Sequence, residues 1–266
     1  MISMENIKIK VYAKINLSLE VTGVRDDGYH ELDMLNTSVS IFDTITAYKS
    51  QESKVIMDGV EAEQGNSALK TLKILKDNFN IDMIVDIKKG IPFSAGLGGS
   101  SADASGVFFC AHKLYNIPLD RLMPFALKIG CDVPFMIYGG SARVSGVGEK
   151  IQPCELKKQY FVICQKEVGA STKDIYSKYD EIGAQKKCDK YFNALEESAI
   201  ALNPNIEIAK KQLLKFTDRV FMTGSGSAYV GIFDDEKSAK KCVDSVGEDF
   251  IFKKVAKSLD SGIDII

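Results

Sequence analysis

The segment IPFSAGLGGSSADASG, residues 91 to 106, crowds Gly96, Gly98 and Gly99 together and follows them at once with Ser100 and Ser101. Ala104, Val107, Phe108, Ala111, Leu114 and Tyr115 then recur at helical spacing, so a glycine-rich backbone feeds a helix N-terminus. The first turn of a helix leaves N–H groups without intrahelical partners, and its dipole favours negative charge. Glycine lets the backbone itself come close to an anion. The chemistry suited to this pattern is phosphate binding. A plain turn ahead of a capped helix uses the same residue types. Ser100 and Asp103 also have the S-x-x-D spacing of a capping box, which would start the helix at Ser100 or Ser101.

The common phosphate loops do not match. A Walker A loop needs a lysine directly after its last glycine, and none follows Gly99. The dinucleotide fingerprint needs glycine or alanine three positions after its second glycine; counted from Gly98, that position is Ser101. The H-R-D and D-F-G elements of protein kinases are missing as well.

Several elements must position this loop. Ile7, Ile9, Val11, Ala13, Ile15, Leu17, Leu19 and Val21 alternate with Lys8, Lys10, Tyr12, Lys14, Asn16, Ser18, Glu20 and Thr22. Period two over this length predicts one strand, or two in line, with one buried face. Lys14 and Asn16 then share the polar face, where a solvated lysine is the ordinary outcome. Asp26-Asp27-Gly28 ends the strand as a turn. Further strands are predicted over 38–48, 54–57 and 83–87, with a helix over 66–79 that Asn66 is suited to cap. Asp132, just before Pro134, has the look of a turn or helix-end aspartate. Beyond it, the pattern predicts a strand over 160–164, a helix over 204–216 and a glycine-tipped hairpin over 221–233.

Composition narrows the class. The 266 residues are 45% hydrophobic, enough to bury a full core and to divide into two domains. Lys and Arg number 34 against 36 Asp and Glu, a net charge of −2, which leaves no electrostatic case for nucleic acid. Cys110, Cys131, Cys154, Cys164, Cys188 and Cys242 are scattered without CxxC or Cys/His clustering, a pattern of reduced thiols. No transmembrane-length apolar run and no leader pattern is present. These features predict a soluble cytoplasmic protein with neither a membrane nor a nucleic-acid partner.

PFSAGLGGSSA (Pro92 to Ala102) resembles the central motif of the GHMP kinases, the family of galactokinase, homoserine kinase and mevalonate kinase. AKINLSLEVTGVRDDGYHEL (Ala13 to Leu32) and GCDVPFMIYGGSARVSGVGEKI (Gly130 to Ile151) are similar to one branch of it. That branch phosphorylates 4-diphosphocytidyl-2-C-methyl-D-erythritol in the non-mevalonate isoprenoid pathway. FMTGSGSAYVGIF (Phe221 to Phe233) is similar to the family's third glycine-rich motif. The resemblance runs from about Lys8 to Phe233, nearly the whole chain.

The resemblance implies an α+β fold of two domains. An N-terminal mixed α/β domain with a left-handed βαβ crossover (1–155) precedes a C-terminal ferredoxin-like domain (156–266), with the boundary near Gln152 to Lys158. It implies ATP-dependent phosphorylation of the substrate's 2-hydroxyl, with Mg2+ accompanying ATP and its protein ligands left unassigned. Other GHMP kinases, of homoserine or mevalonate type, would lack the DDGYHEL element. A nucleotide-binding sensor that kept the fold and lost catalysis is the third reading, against which Lys14 and Asp132 both speak.

The family's site residues carry over position by position. Lys14 and Asp132 match the catalytic positions: the carboxylate accepts the substrate proton while the ammonium keeps it ionised and steadies the phosphoryl charge. The loop matches the nucleotide site, with Pro92, Phe93, Ser94, Ala95 and Leu97 framing its glycines and Ser100, Ser101 and Ala102 opening the helix. Lys89, just before the loop, and Asn66, at the start of its helix, are expected to approach the nucleotide. Asn16 would bind substrate or brace Lys14. Tyr29 and His30 match residues that contact the cytosine ring. Tyr176 matches the aromatic covering its other face, and Thr172 lies beside the ligand. The partner implied is a small molecule bearing a cytidine diphosphate, bound by a monomer or homodimer. Gly224, Ser225 and Gly226 receive no role.

Overall fold

The computed structural model describes residues 5–183 and 191–266. Its frame is a long antiparallel pair, β1 (Asn6–Val24) and β2 (His30–Lys49), joined through the Asp26-Asp27-Gly28 turn. The alternation read from the sequence is realised as one strand: Ile9, Val11, Ala13, Ile15, Leu17 and Leu19 are all buried. Register shifts at Tyr12/Ala13 and Asn16/Ser18 break the ladder where the site is built.

β3 (Lys54–Met57), β4 (Val60–Glu61) and β5 (Met83–Lys88) extend the sheet beyond β2. β3 and β5 are parallel, connected through α1 (Ser67–Phe79). α2 (Gly99–Tyr115) follows β5 and packs its buried side against β1 and β2. α3 (Leu119–Ile129) and α4 (Val133–Tyr138) precede a hairpin of β6 (Ser141–Gly146) and β7 (Lys150–Pro153) that pairs with the first half of β2.

The second half of the chain begins with β8 (Tyr160–Gln165), α5 (Thr172–Ile182), α6 (Glu196–Leu202) and α7 (Glu207–Leu213). It continues through β9 (Val220–Met222), β10 (Tyr229–Phe233), α8 (Glu236–Ser245) and β11 (Phe252–Leu259). Its strands lie in the order β11-β8-β10-β9, all antiparallel, which is the ferredoxin-like arrangement. β11 also reaches β2 through Ser258 and Leu259, and β12 (Ile263–Ile265) returns to β1. Sheet membership therefore does not change at a single point of the chain.

β1 presents its second edge to four different segments in turn. The Tyr12 N–H donates to Gly262 O at 2.9 Å and the Lys14 N–H to Leu97 O at 3.1 Å. The Asn16 N–H donates to Thr223 Oγ1 at 2.9 Å, and the Leu19 N–H to Phe192 O at 2.8 Å. An unpaired strand edge must satisfy its donors somewhere. Here it does so by docking the chain's end, the 91–101 loop, the third glycine-rich loop and the segment before α6. Among the described residues the cysteines are free; Cys188 lies outside them. No helix of the described residues is long and apolar enough to cross a membrane.

Candidate active site

The loop between β5 and α2 closes one wall of a cleft of about 450 Å³. Gly98 occupies the cap position of α2 with φ 75°, and no side chain caps the helix. The S-x-x-D box expected at Ser100 and Asp103 does not form. Asp103 turns inward instead, where Lys89 Nζ donates to its two oxygens at 3.0 and 2.8 Å. A buried ammonium gains more from a carboxylate than a helix end does. The opening N–H groups of α2 are thus left to face the cleft, as an anion site requires.

Lys89 also donates to Asp43 Oδ2 at 2.6 Å, and all three side chains are buried. The other oxygen of Asp43 accepts the N–H groups of Gly90 and Ile91 at 2.7 and 2.9 Å, pinning the entry to the loop. Burial pushes the Asp103 carboxyl up to about 7, with the charge of Asp43 adding to the rise and Lys89 opposing it. For Lys89, burial acts to lower the pKa, but Asp103 and Asp43 together hold it above the ordinary value. Lys89 lines the cleft, yet it is committed to these carboxylates behind the loop.

The third glycine-rich segment braces the same loop from the other side. A Cβ on Gly96, at φ +78°, would sit 2.0 Å from Thr223 O. The N–H groups of Ser227 and Ala228 donate to Ser94 O and Ala95 O, both at 3.2 Å. Gln165 Nε2 donates to Phe93 O and Ser94 O at 3.0 and 3.2 Å. Gly224, Ser225 and Gly226, which had no role from the sequence, line the cleft directly.

Lys14 is 3% exposed and Asn16 1% exposed. The expectation of a solvated polar face is overturned at this point of β1, because the docked loops cover the face that faces water elsewhere on the strand. Lys14 Nζ donates to Asn16 Oδ1 at 2.7 Å and lies 3.3 Å from Asp132 Oδ2. Asp132 stands at the N-cap of α4 but makes no cap hydrogen bond. Its carboxylate, a quarter exposed, faces the cleft beside Lys14. A carboxylate that caps no helix and a buried ammonium thus meet beside the uncapped start of α2.

The other expected residues divide. Pro92 through Ser101 line the cleft, whereas Ala102 is fully buried behind it. Thr172 and Tyr176 of α5 line it from the second half of the chain, and Thr172 Oγ1 lies 3.1 Å from Ser225 Oγ. His30 stands behind Tyr176, stacked on it with centroids 4.6 Å apart, and pairs through Nε2 with Asp180 at 2.8 Å. Burial, then the nearby Asp132 charge, holds the Tyr176 hydroxyl above its ordinary pKa. Tyr29 is 61% exposed and outside the cleft lining, in the turn ahead of β2, where its N–H donates to Asp27 Oδ1 at 3.2 Å. Asn66 also stands outside the lining; its side chain accepts from the N–H groups of Ala68 and Leu69 as the cap of α1.

Sequence reasoning missed Asp43, Asn36, Gln165 and Thr223. The only signal was a polar residue inside an apolar strand run, as for Gln165 after Tyr160–Cys164.

An uncapped helix start beside a Lys–Asp pair, in a chain with a mixed α/β half and a ferredoxin-like half, fits the class of ATP-dependent kinases of small-molecule alcohols. The chain belongs to the GHMP kinase family: its N-terminal domain model matches residues 66–140 and its C-terminal model residues 181–251. Within that family, several relatives at 30–35% identity share one name. The 4-diphosphocytidyl-2-C-methyl-D-erythritol kinase of Thermoanaerobacter pseudethanolicus is 30% identical, over 98% of this chain and 99% of its own. That of Clostridium botulinum strain Kyoto is 35% identical over 91% of this chain and 96% of its own. A crystal structure of 4-(cytidine 5'-diphospho)-2C-methyl-D-erythritol kinase superposes with a TM-score of 0.80 at 26% identity, covering 94% of this chain and 98% of that one. Homoserine kinase from Cytophaga hutchinsonii shares the fold, with a TM-score of 0.70 at 16% identity.

Proposed function

We propose that this chain transfers the γ-phosphoryl group of ATP to the 2-hydroxyl of 4-diphosphocytidyl-2-C-methyl-D-erythritol. The observation that carries the reading is the Lys14–Asp132 pair, 3.3 Å apart and lining one cleft with the uncapped start of α2. The loop N–H groups hold the phosphates. The acceptor hydroxyl approaches Asp132, which takes its proton as the new O–P bond forms and the bond to ADP breaks. Lys14, 3.3 Å from that carboxylate, offsets the charge on the transferring group.

Magnesium fits as a companion of the nucleotide. Among the described residues no three His, Cys, Asp or Glu side chains converge on a metal position. A cation carried by the phosphates, with water and the Ser100 or Ser101 hydroxyl at the loop, suits that donor set. When bound, it neutralises phosphate charge.

For the cytidine end, Tyr176 offers an aromatic face in the cleft, backed by His30. Tyr29 is the distal aromatic, which would have to fold over the base from the rim. A free-thiol composition and the absence of a spanning helix among the described residues support a cytoplasmic setting. We divide the chain into units 1–155 and 156–266, with the cleft between them. The test is competition by CMP and UMP against turnover. CMP should inhibit the better, because a site that pairs cytosine's amino group leaves a polar group unpaired with uracil. Equal inhibition by CMP and UMP would reject the cytidine assignment.

A further inference from the structure

Asn16 uses its amide oxygen twice: Lys14 Nζ donates to it at 2.7 Å and the Gly224 N–H at 2.8 Å. Both neighbours are donors, so the amide must keep its oxygen toward them and its NH2 group on the far side. A flipped amide would set donors against donors, one of them the Lys14 ammonium. What holds the orientation is on that far side. Asn16 Nδ2 donates to Asn36 Oδ1 at 2.7 Å and reaches Met34 Sδ at 3.3 Å. A thioether is a weak acceptor, so the orientation rests on Asn36.

Asn36 lies directly opposite Asn16 in the β1–β2 ladder, which puts both side chains on one face. It is fully buried and does not line the cleft. Its own Nδ2 has no hydrogen-bond partner among the described residues. A buried amide with an unmet donor is unfavourable, but an apolar side chain here would strand Asn16 Nδ2 with Met34 Sδ alone. What the site asks of residue 36 is therefore an acceptor for Asn16.

We propose that Asn36 is a positioning residue for phosphoryl transfer: its side-chain oxygen locks the Asn16 amide, and the locked amide aims the Lys14 ammonium at Asp132 and the cleft. The relay runs Asn36 to Asn16 to Lys14 to Asp132, with the Gly224 loop tied to the same oxygen. Asn36 itself touches neither nucleotide nor acceptor. The inference rests on Lys14 acting at the transferring group, as read above.

The experiment compares Asn36→Leu, Asn36→Asp, Asn16→Ala and the double variant Asn36→Leu/Asn16→Ala, with Lys14→Met as reference. Melting temperature, affinity for a non-hydrolysable ATP analogue, kcat and KM are measured for each. Asn36→Leu removes the lock and exchanges the unmet donor of Asn36 for one on Asn16, left with Met34 Sδ alone. It should stay folded and bind the analogue as the wild type does, while kcat falls about tenfold or more, the scale of a misaimed catalytic group. Asn36→Asp keeps an acceptor at the same reach and should recover most of that loss. In the Asn16→Ala background, Asn36→Leu should cost nothing further, because the relay is already cut. A merely structural role predicts the reverse, a lowered melting temperature with kcat unchanged. Should Asn36→Leu fail to fold, the Asp variant decides: a folded Asn36→Asp protein with kcat as low as Asn16→Ala overturns the proposal. Normal kcat in Asn36→Leu beside an inactive Lys14→Met overturns this inference and leaves the kinase reading standing. Normal turnover in Lys14→Met would bring down the reading itself.

Discussion

The backbone N–H of Gly224 lies 2.8 Å from Asn16 Oδ1, although 208 residues separate them. Through that contact the ferredoxin-like half reaches into the strand that carries Lys14. The same segment meets the phosphate loop, since Thr223 O would lie 2.0 Å from a Cβ on Gly96. Lysine, loop and second half are thus one packed unit, and a change in any of them should be felt in the others.

Replacement of Gly98 shows this most directly. Its φ of +75° disfavours any side chain, and a Cβ would press on Met136 Sδ at 3.0 Å and Lys14 Cγ at 3.2 Å. Gly98→Val should weaken nucleotide binding at least tenfold, roughly 1.4 kcal/mol, and lower kcat as well, because Lys14 is displaced. Titration calorimetry with an ATP analogue and steady-state kinetics on the folded variant check both. Wild-type binding would remove the loop from the nucleotide site.

Asp132→Asn keeps the size of the side chain and loses its charge and basicity. Asp132 caps nothing in α4, so the melting temperature should change little. Turnover should drop about a hundredfold or more, the scale of a lost general base, with analogue affinity near wild type. Single-turnover kinetics give the answer; near-normal turnover would make the carboxylate structural.

Asp103 should leave a signature in stability. Its carboxyl is pushed up to about 7 in the folded chain, first by burial, and sits at about 3.9 when unfolded. A raised pKa means that the folded state binds the proton more tightly. The contribution is therefore complete below the unfolded value and lost as pH rises through the folded one. Thermal melts of wild type and Asp103→Asn across about pH 5 to about pH 8 should show the wild type losing ground to the variant as pH rises. A constant difference would exclude Asp103 as the titrating group.

The two tyrosines should not behave alike. Tyr176 lines the cleft and stacks on His30, whereas Tyr29 is largely exposed beyond it. Tyr176→Ala should weaken CMP by about 1–3 kcal/mol, the worth of a stacked base. Tyr29→Ala should cost less in affinity, as befits a largely exposed ring outside the cleft lining. Competition assays separate the two, and identical losses would show that both rings grip the base equally.

The backbone chemistry of this protein was open to reading along the chain. Alternation set β1, the stripe from Ala104 to Tyr115 set α2, and glycine before a helix start marked the phosphate loop, because each depends on neighbours a few residues away. Side-chain surroundings were not open in that way. Lys14 sits in a strand whose pattern assigns it to water, and it is buried because loops from residues 97 and 223 dock on its edge. Asp103 has the spacing of a cap, yet Lys89, just past β5, and Asp43 of β2 claim it. Asn36 looks like any polar strand residue until Asn16 is set opposite it. Local propensity governs which segments are strand, helix or turn. The state of a buried polar group is governed by partners that only long-range packing supplies, and along the sequence those partners lie anywhere.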